Sequence, residues 1–300
     1  MRLFSTLFLL LILTNPKIVS QELEKKTLLI RCDDIGMSHA VNEAALELLD
    51  TGLPFSSSVM FVCPWYQEAV DILKDRTNVS IGIHLTLNSE WKNFRWGPVT
   101  GKDAVPSLVD EHGYFFPSRA KLYENNPELD DIETELRAQI ERALKSGIKI
   151  DYIDYHMGTA VDKPEYRNIV EKLSGEYELG ISRYFGEVDI DNMYSIPIEN
   201  KLDSLLQIMK TLETGQINLL VCHIGKDNPE LAAMKDLNEF GLGEMSKHRD
   251  AELEALKSFE FREFLEKQRI DLKVYREIVE DIGLGNMKSP LKRDETYHKK

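Results

Sequence analysis

The arrangement of apolar residues predicts β-strands in some segments of the chain and helices in others. Short apolar runs predict β-strands at residues 27–32, 57–62, 79–85, 149–154 and 217–222. After the first run, Ser38 precedes a segment whose apolar residues recur at helical spacing. The apolar face of that segment is formed by Val41, Ala44, Ala45, Leu48 and Leu49. Further helices are predicted at residues 66–74, 128–145, 164–177, 202–212 and 251–268.

This repeated order of strand and helix predicts the fold class. Strands that alternate with helices are typical of a parallel sheet covered by helices. No repeat, linker or change of composition divides the pattern. We therefore expect a single α/β domain at residues 21–286, followed by a polar tail at 287–300.

The first twenty residues have the composition of a secretory signal peptide. Arg2 supplies a positive charge, residues 4–14 are almost entirely apolar, and Pro16 precedes a polar stretch. This apolar core is shorter than the ~20 residues that a transmembrane helix needs. We expect cleavage after Ser20, export to the periplasm or the cell exterior, and no membrane span in the mature chain. The alternative is an uncleaved anchor.

Charge and cysteine content narrow the classes of partner. The chain has 51 acidic and 37 basic residues, a net charge of −14, which disfavours binding to the phosphates of a nucleic acid. Cys32, Cys63 and Cys222 lack the spacing of a zinc finger. We expect three small buried hydrophobic residues, with one disulfide and one free thiol as the alternative.

Residues that can bind a metal or move a proton lie where the predicted strands end. Asp33 and Asp34 end the first strand, His84 ends the third, residues 154–156 (Asp-Tyr-His) end the fourth, and His223 follows a late strand. In folds of this class, ligands gather beyond the carboxyl ends of the strands. We therefore expect these side chains to meet at one mouth.

Each of these residues also has a structural explanation when it is taken alone. The aspartate pair could cap a helix, a single histidine after a strand is commonly structural, and Asp154 could simply orient an imidazole. Together, two histidines and one aspartate form the ligand set of a catalytic metal site that keeps one position open for water. Such ligands suit Zn²⁺, while Mg²⁺, Mn²⁺, Fe²⁺ and Co²⁺ stay open.

The same segments carry a resemblance to a known family. Residues 28–38 (LLIRCDDIGMS), followed by Asn42, Glu43 and Ala44, resemble the opening of the YdjC-like carbohydrate deacetylases. That group includes chitooligosaccharide deacetylase and hopanoid-associated deacetylase-like proteins. Other similar segments are 56–60, 82–87, 112–115, 153–156, 220–225 and 248–256. The resemblance covers the chain from residue 27 to about residue 283.

The resemblance implies a fold, an activity and a set of site residues. The fold is a distorted (β/α) barrel of the glycoside hydrolase/deacetylase type. The activity is hydrolysis of the N-acetyl group, a linear amide, of an amino-sugar oligosaccharide, with one divalent metal ion, Mg²⁺ or Zn²⁺. By matching position, Asp34, His84 and His156 bind the metal, Asp33 is the general base, and His223 stabilises or protonates during the reaction. Family members are often dimeric, so a homodimer is one expected assembly.

Three parts of the chain depart from the family pattern. Ile35 and Ile224 stand where the family usually has Phe and Pro, and residues 157–159 (Met-Gly-Thr) replace further histidines. None of these departures removes an expected ligand.

Asp154 is expected to hold a histidine in the right tautomer.

Residues 88–127 lack regular periodicity and are rich in aromatic side chains. These are Trp91, Phe94, Trp96, Tyr114, Phe115, Phe116 and Tyr123. A long irregular stretch in a compact domain is usually functional. It is either a lid or wall that stacks on sugar rings, or a loop whose aromatics pack against the barrel.

Two other classes of function stay open. One is a different metal-dependent hydrolase, such as a phosphodiesterase, that uses the same pocket. The other is a carbohydrate-binding protein without catalytic activity.

Overall fold

Eight β-strands, each parallel to its neighbours, form one curled sheet in the computed structural model, which describes residues 25–291. They are β1 (Thr27–Ile35), β2 (Phe55–Val59), β3 (Val79–Leu85), β4 (Tyr152–Tyr155), β5 (Gly180–Ile181), β6 (Glu187–Asp189), β7 (Ile217–Cys222) and β8 (Asp271–Lys273). Their order is β5-β4-β3-β2-β1-β7-β6, with β8 beside the start of β1. The sheet curls into a half-barrel, which confirms the predicted distorted (β/α) barrel.

Helices flank this sheet along the described part of the chain. They are α1 (His39–Asp50), α2 (Tyr66–Leu73), α3 (Arg119–Glu124), α4 (Leu129–Lys145), α5 (Pro164–Tyr177), α6 (Lys201–Ile208), α7 (Pro229–Ala232), α8 (Met245–Lys257), α9 (Phe259–Gln268) and α10 (Tyr275–Ile282). The predicted cap of α1 is confirmed, because the Ser38 hydroxyl accepts a hydrogen bond from the N–H of Val41 at 3.3 Å.

The prediction of one long helix at residues 251–268 is wrong. Ser258 divides this segment into α8 and α9. Its backbone is extended (φ −60°, ψ 148°), and its hydroxyl accepts from the N–H of Phe261 at 3.1 Å, so it is the cap of α9. The strand predicted at 57–62 lies at Phe55–Val59, because residues 60–63 form a turn.

Alternate residues of β1 face two different cores. Leu28, Ile30 and Cys32 pack among the flanking helices. On the opposite face, Leu29 belongs to a smaller cluster, which also contains Tyr152, Phe185, Leu219, Tyr275 and Ile278. Arg31 and Asp33 share the face of Leu29 because side chains alternate along a strand. The concave face therefore changes from apolar to charged toward the carboxyl end of β1.

The structure also bears on the predictions for the cysteines and for a membrane span. Cys32, Cys63 and Cys222 are buried and form no disulfide, as expected. Within residues 25–291, no helix combines the length and the apolar character needed to cross a bilayer. The predicted signal peptide at 1–20 and residues 292–300 of the predicted tail lie outside the described residues, so both stay predictions.

Gly82 in β3 leaves the space that the buried Tyr152 ring occupies. A Cβ at residue 82 would lie 2.3 Å from Cζ of Tyr152, whose hydroxyl is hydrogen-bonded to Ser58 at 2.8 Å. We expect Gly82→Ala to lower the free energy of unfolding by about 1–3 kcal/mol through overpacking. Urea unfolding measures this change.

Gly175→Ala in α5 is the matched control for that substitution. A Cβ at residue 175 meets nothing within 4 Å. Alanine is the better helix former, so we expect the free energy of unfolding to rise by roughly 0.5–1 kcal/mol. A Gly82→Ala protein as stable as the wild type would contradict the packing argument.

Candidate active site

A left-handed residue at the end of β1 brings two carboxylates to one mouth. Asp34 has φ 65°, and the register of β1 against β2 shifts between Cys32 and Ile35. Because consecutive side chains of a regular strand point to opposite faces, this irregularity lets Asp33 and Asp34 reach the same site. The break therefore lies at Asp34 itself, inside the strand.

The three predicted metal ligands converge. Oδ1 of Asp34 lies 3.2 Å from Nδ1 of His156 and 3.4 Å from Nε2 of His84. The two imidazole nitrogens are 3.3 Å apart, and all three side chains are buried. Atoms bound to one tetrahedral ion at ~2.0–2.2 Å are roughly 3.4 Å from each other. The triangle therefore has the dimensions of a ligand set.

A carboxylate contacts the far nitrogen of each histidine. Oδ1 of Asp154 lies 2.9 Å from Nδ1 of His84, and Oε2 of Glu90 lies 3.1 Å from Nε2 of His156. When the far nitrogen donates its proton to a carboxylate, the lone pair of the near nitrogen faces the cluster. The orienting position expected for Asp154 is thus against His84.

Two buried arginines pair with the aspartates. Nε and Nη2 of Arg31 donate to the two oxygens of Asp33 at 2.7 and 2.8 Å, and Nε lies 3.1 Å from Oδ2 of Asp154. Nη2 of Arg249, on α8, donates to Oδ2 of Asp34 at 2.6 Å. Charge-assisted bonds of this kind are strong and directional, so both aspartates have fixed orientations.

These arginines also control the ionisation of the aspartates. Burial raises the pKa of Asp33, but Arg31, followed by His84, outweighs burial and lowers it below its ordinary value. Burial acts in the same way on Asp34, whose pKa Arg249 and the two histidines bring well below the ordinary value. Both carboxylates are therefore ionised at neutral pH.

The pKa values of the two histidines are raised rather than lowered. Burial lowers the pKa of His84, but Asp154 and Asp33 outweigh it and raise the pKa to about 9. Burial also lowers the pKa of His156, while Glu90 and Asp34 raise it to about 10. The surrounding carboxylates thus stabilise the protonated, positively charged form of both histidines.

Charge and hydrogen bonding in the cluster fit a divalent cation. Four buried carboxylates, on Asp33, Asp34, Glu90 and Asp154, face the two buried guanidiniums. While no metal is bound, the raised pKa values of His84 and His156 supply the other two positive charges. Oδ1 of Asp34 is buried without a hydrogen-bond partner. A divalent cation carries the same charge as the two histidine protons, so it can replace them and bind this oxygen. The three converging side chains could hold it.

A second trio, Asp33, His84 and Asp154, also brings three donor atoms within 4.8 Å of each other. Arg31 already contacts both carboxylates of this trio. Arg31 uses both oxygens of Asp33, whereas Arg249 contacts only Oδ2 of Asp34 and leaves Oδ1 open. A cation in the second trio would therefore compete directly with a guanidinium, and like charges repel. The trio that contains Asp34 is therefore the better metal site.

His223 follows β7 and lies outside both trios. Its backbone N–H donates to Oε2 of Glu252 at 2.8 Å. Its ring packs edge-on against Tyr194, with ring centroids 5.3 Å apart. In the sheet, β7 lies on one side of β1 and the strands that carry His84 and His156 lie on the other. His223 thus approaches the aspartates from the opposite side.

The aromatic stretch at 88–127 forms a wall of the site largely by packing. Trp91, Trp96 and Phe115 are buried, and the Trp96 ring lies edge-on to His156 at 6.3 Å between centroids. Packing against the barrel thus accounts for these three rings. The same stretch also supplies Glu90.

Sequence reasoning missed three residues of the site. Glu90 lies in a stretch without periodicity, which gave no signal for it. Arg249 was noticed only as part of a family segment, without a contact. Arg31 did carry a signal, because a charged residue inside an apolar strand is almost never buried without a partner.

The fold and the site define the class of this protein: a parallel α/β half-barrel with a carboxylate–histidine cluster at the carboxyl ends of its strands. The chain belongs to the family described as YdjC-like protein, whose model matches residues 27–267. This match confirms the resemblance seen in the sequence.

Curated relatives and a solved structure extend this comparison. A carbohydrate deacetylase of Brevibacillus brevis is 27% identical over 265 residues, 84% of this chain and 99% of that protein. A carbohydrate deacetylase of Enterococcus faecalis is 30% identical over 158 residues, which is 52% of this chain and 58% of that protein. The structure of a candidate cellobiose-phosphate cleavage protein from Enterococcus faecalis superposes with a TM-score of 0.69 at 24% identity, covering 85% of this chain and 99% of that one. The last likeness shows the shared fold.

Arg31→Met leaves Asp33 and Asp154 buried beside an apolar side chain. We expect the free energy of unfolding of the metal-free protein to fall by about 3–5 kcal/mol, because breaking a buried pair leaves charge uncompensated. Arg137→Met removes a surface guanidinium bound to Glu176, and we expect a loss of about 0–1 kcal/mol. Urea unfolding in the presence of a chelator compares the two variants. Equal losses of stability would contradict the view that Arg31 compensates buried negative charge.

Proposed function

We propose that this protein is a metal-dependent hydrolase that removes an N-acetyl group from an amino-sugar-containing oligosaccharide. The observation that carries the proposal is the triangle of Asp34, His84 and His156 with the ionised Asp33 beside it. Three protein ligands leave a position for water on a catalytic metal. The relatives named carbohydrate deacetylases support an acetylated carbohydrate as the substrate.

Asp34, His84 and His156 would hold one divalent metal ion, Mg²⁺ or Zn²⁺. When bound, the ion supplies an acidified water and a positive charge for the acyl oxygen. Asp154 and Glu90 fix the tautomers of the two histidines, so that both lone pairs face the site. These five side chains are the binding half of the site.

Asp33 accepts the proton of the attacking water. Its two hydrogen bonds from Arg31 keep it ionised and in one orientation. The same pairing lowers its basicity, so it suits an acidified water better than an ordinary one. The arginine thus sets both the position and the strength of the base.

His223 donates a proton to the departing amine. An amine is a poor leaving group until it is protonated, and general acid catalysis contributes typically ~10²–10⁴ in rate. In the order of strands, Asp33 and Asp34 lie between His223 on one side and His84 and His156 on the other. This order supports a position for the scissile amide between the metal site and His223.

The burial of the cluster favours a small acyl group. Asp33, Asp34, His84 and His156 are between 1% and 5% exposed. Such burial leaves little open surface beside the cluster, which supports a small group such as acetyl at the reacting position.

Acetate release tests the proposed function. The purified protein is freed of metal, supplied in turn with Zn²⁺, Mg²⁺ or neither, and incubated with N-acetylglucosamine oligomers. We expect metal-dependent release of acetate, which a chelator abolishes and added metal restores. Cleavage of bis(p-nitrophenyl) phosphate without acetate release would favour the phosphodiesterase. Binding of the oligomers with neither reaction would indicate a non-catalytic carbohydrate-binding protein.

The adjacent aspartates are expected to differ in their effects on metal content. Asp33→Asn keeps the shape of the side chain but removes the base, so activity should fall by roughly 10²-fold or more while metal content stays near wild type. Asp34→Asn removes a charged ligand, so metal and activity should both be lost. Metal content is measured on protein purified without added metal.

Two results would contradict this assignment. If Asp33→Asn loses the metal and Asp34→Asn keeps it, the two roles are exchanged. If both proteins keep metal and activity, the aspartate pair is a structural feature of the end of β1.

A further inference from the structure

Lys201, the first residue of α6, is a fully buried lysine with three acceptors. It is 1% exposed. Its Nζ donates to the carbonyl oxygens of Met193 at 2.6 Å and Tyr194 at 3.0 Å, and it pairs with Oε1 of Glu252 at 3.2 Å. Lysine is almost never fully buried unless it is paired, because its charge is costly to remove from water.

Glu252 connects this ammonium to His223. One of its oxygens contacts Lys201, and the other accepts from the backbone N–H of His223 at 2.8 Å. Burial raises the pKa of Glu252, and Lys201 and the N–H of His223 oppose that rise. Each oxygen of this buried carboxylate thus has its own hydrogen-bond partner.

Tyr194 closes the network on the other side of His223. Its backbone carbonyl is held by Lys201, and its ring lies edge-on against the His223 ring, at 5.3 Å and 65°. Lys201 thus fixes one of these residues directly and the other through Glu252. One ammonium thus anchors the two backbone segments that carry these rings.

Helix α8 joins this network to the metal cluster. Arg249 and Glu252 lie three residues apart and so share a face of the helix. Arg249 contacts Asp34, while Glu252 contacts the backbone of His223. A single helix therefore sets the distance between the two sides of the site.

We propose that Lys201 and Glu252 are positioning residues, which hold the imidazole of His223 in place against the Tyr194 ring and at a fixed distance from the Asp34 cluster. The inference rests on the proposed function, in which His223 passes a proton to the departing amine. Stability alone does not explain the pair, because apolar residues in place of a buried ion pair are often neutral or stabilising.

Lys201→Met tests the proposal through the reaction. We expect kcat to fall by about 10²-fold, the cost of a misplacement of about 1 Å. KM should change by less than about 2-fold, because the chemical step rather than binding is affected. Metal content should equal that of the wild type. Lys257→Met is the matched control, since Lys257 of α8 pairs with Glu47 at the surface; its kcat should be unchanged.

Histidine-selective ¹⁵N NMR gives a second readout that does not need activity. The amide resonance of His223, assigned with a His223→Gln variant, should move upfield in Lys201→Met as its hydrogen bond to Glu252 weakens. It should stay in place in Lys257→Met. If the wild type releases no acetate, the proposed function fails, and this resonance still decides whether the pair positions His223.

A Lys201→Met protein with a lower Tm but an unchanged His223 amide resonance and unchanged kcat would overturn the proposal. A moved resonance with unchanged kcat would also overturn it. If Lys201→Met does not fold, Glu252→Gln replaces it, since glutamine keeps the shape and removes the charge. The same shift of the amide and loss of kcat are expected, and their absence would overturn the proposal as well.

Discussion

The balance of buried charge at the end of β1 is the constraint on which the rest of the site depends. An uncompensated carboxylate in a protein interior costs several kcal/mol, so the carboxylates of Asp33, Asp34, Glu90 and Asp154 all need partners. Arg31 and Arg249 supply two positive charges. His84 and His156, whose pKa values the carboxylates raise, supply two more while no metal is bound. A divalent cation carries the same charge as these two protons, so the metal and the protons compete for the same histidine nitrogens.

Strand β1 concentrates this charge because it lies inside the sheet. It pairs with β2, β7 and β8, and the apolar residues in its first half anchor it between two cores. That anchoring supports a residue in a sparsely populated conformation, which costs of order 1–3 kcal/mol. The left-handed Asp34 is such a residue, and it brings both aspartates to one mouth. Packing at one end of the strand therefore maintains the unusual geometry at the other.

The sequence predicted the parts of the fold that rest on local pattern. Strands β3 and β7 and helix α5 begin and end where predicted, because long apolar runs and regular spacing fix them. The break at Ser258 was missed, since a serine inside a charged amphipathic pattern does not distinguish a helix interior from a cap. The short strands β5, β6 and β8 carry too few residues for any period to be seen.

The candidate site likewise contains residues that the sequence reveals and a residue that it does not. Asp33, Asp34, His84, His156 and His223 could be found because strand ends are a place that sequence order identifies. Glu90 could not, because its role depends on a contact with a histidine far along the chain.

Helix α8 shows why such partners are hidden from a sequence. Leu253 and Leu256 are fully buried and fix how the helix lies on the barrel. Arg249 and Glu252 precede them on nearby turns and are buried as well. In sequence, a charged residue of this kind looks the same as one on a solvent-facing turn. The difference lies in what the helix covers, namely Asp34 at the end of β1 and His223 at the end of β7. Apolar packing thus determines which charges become part of the site.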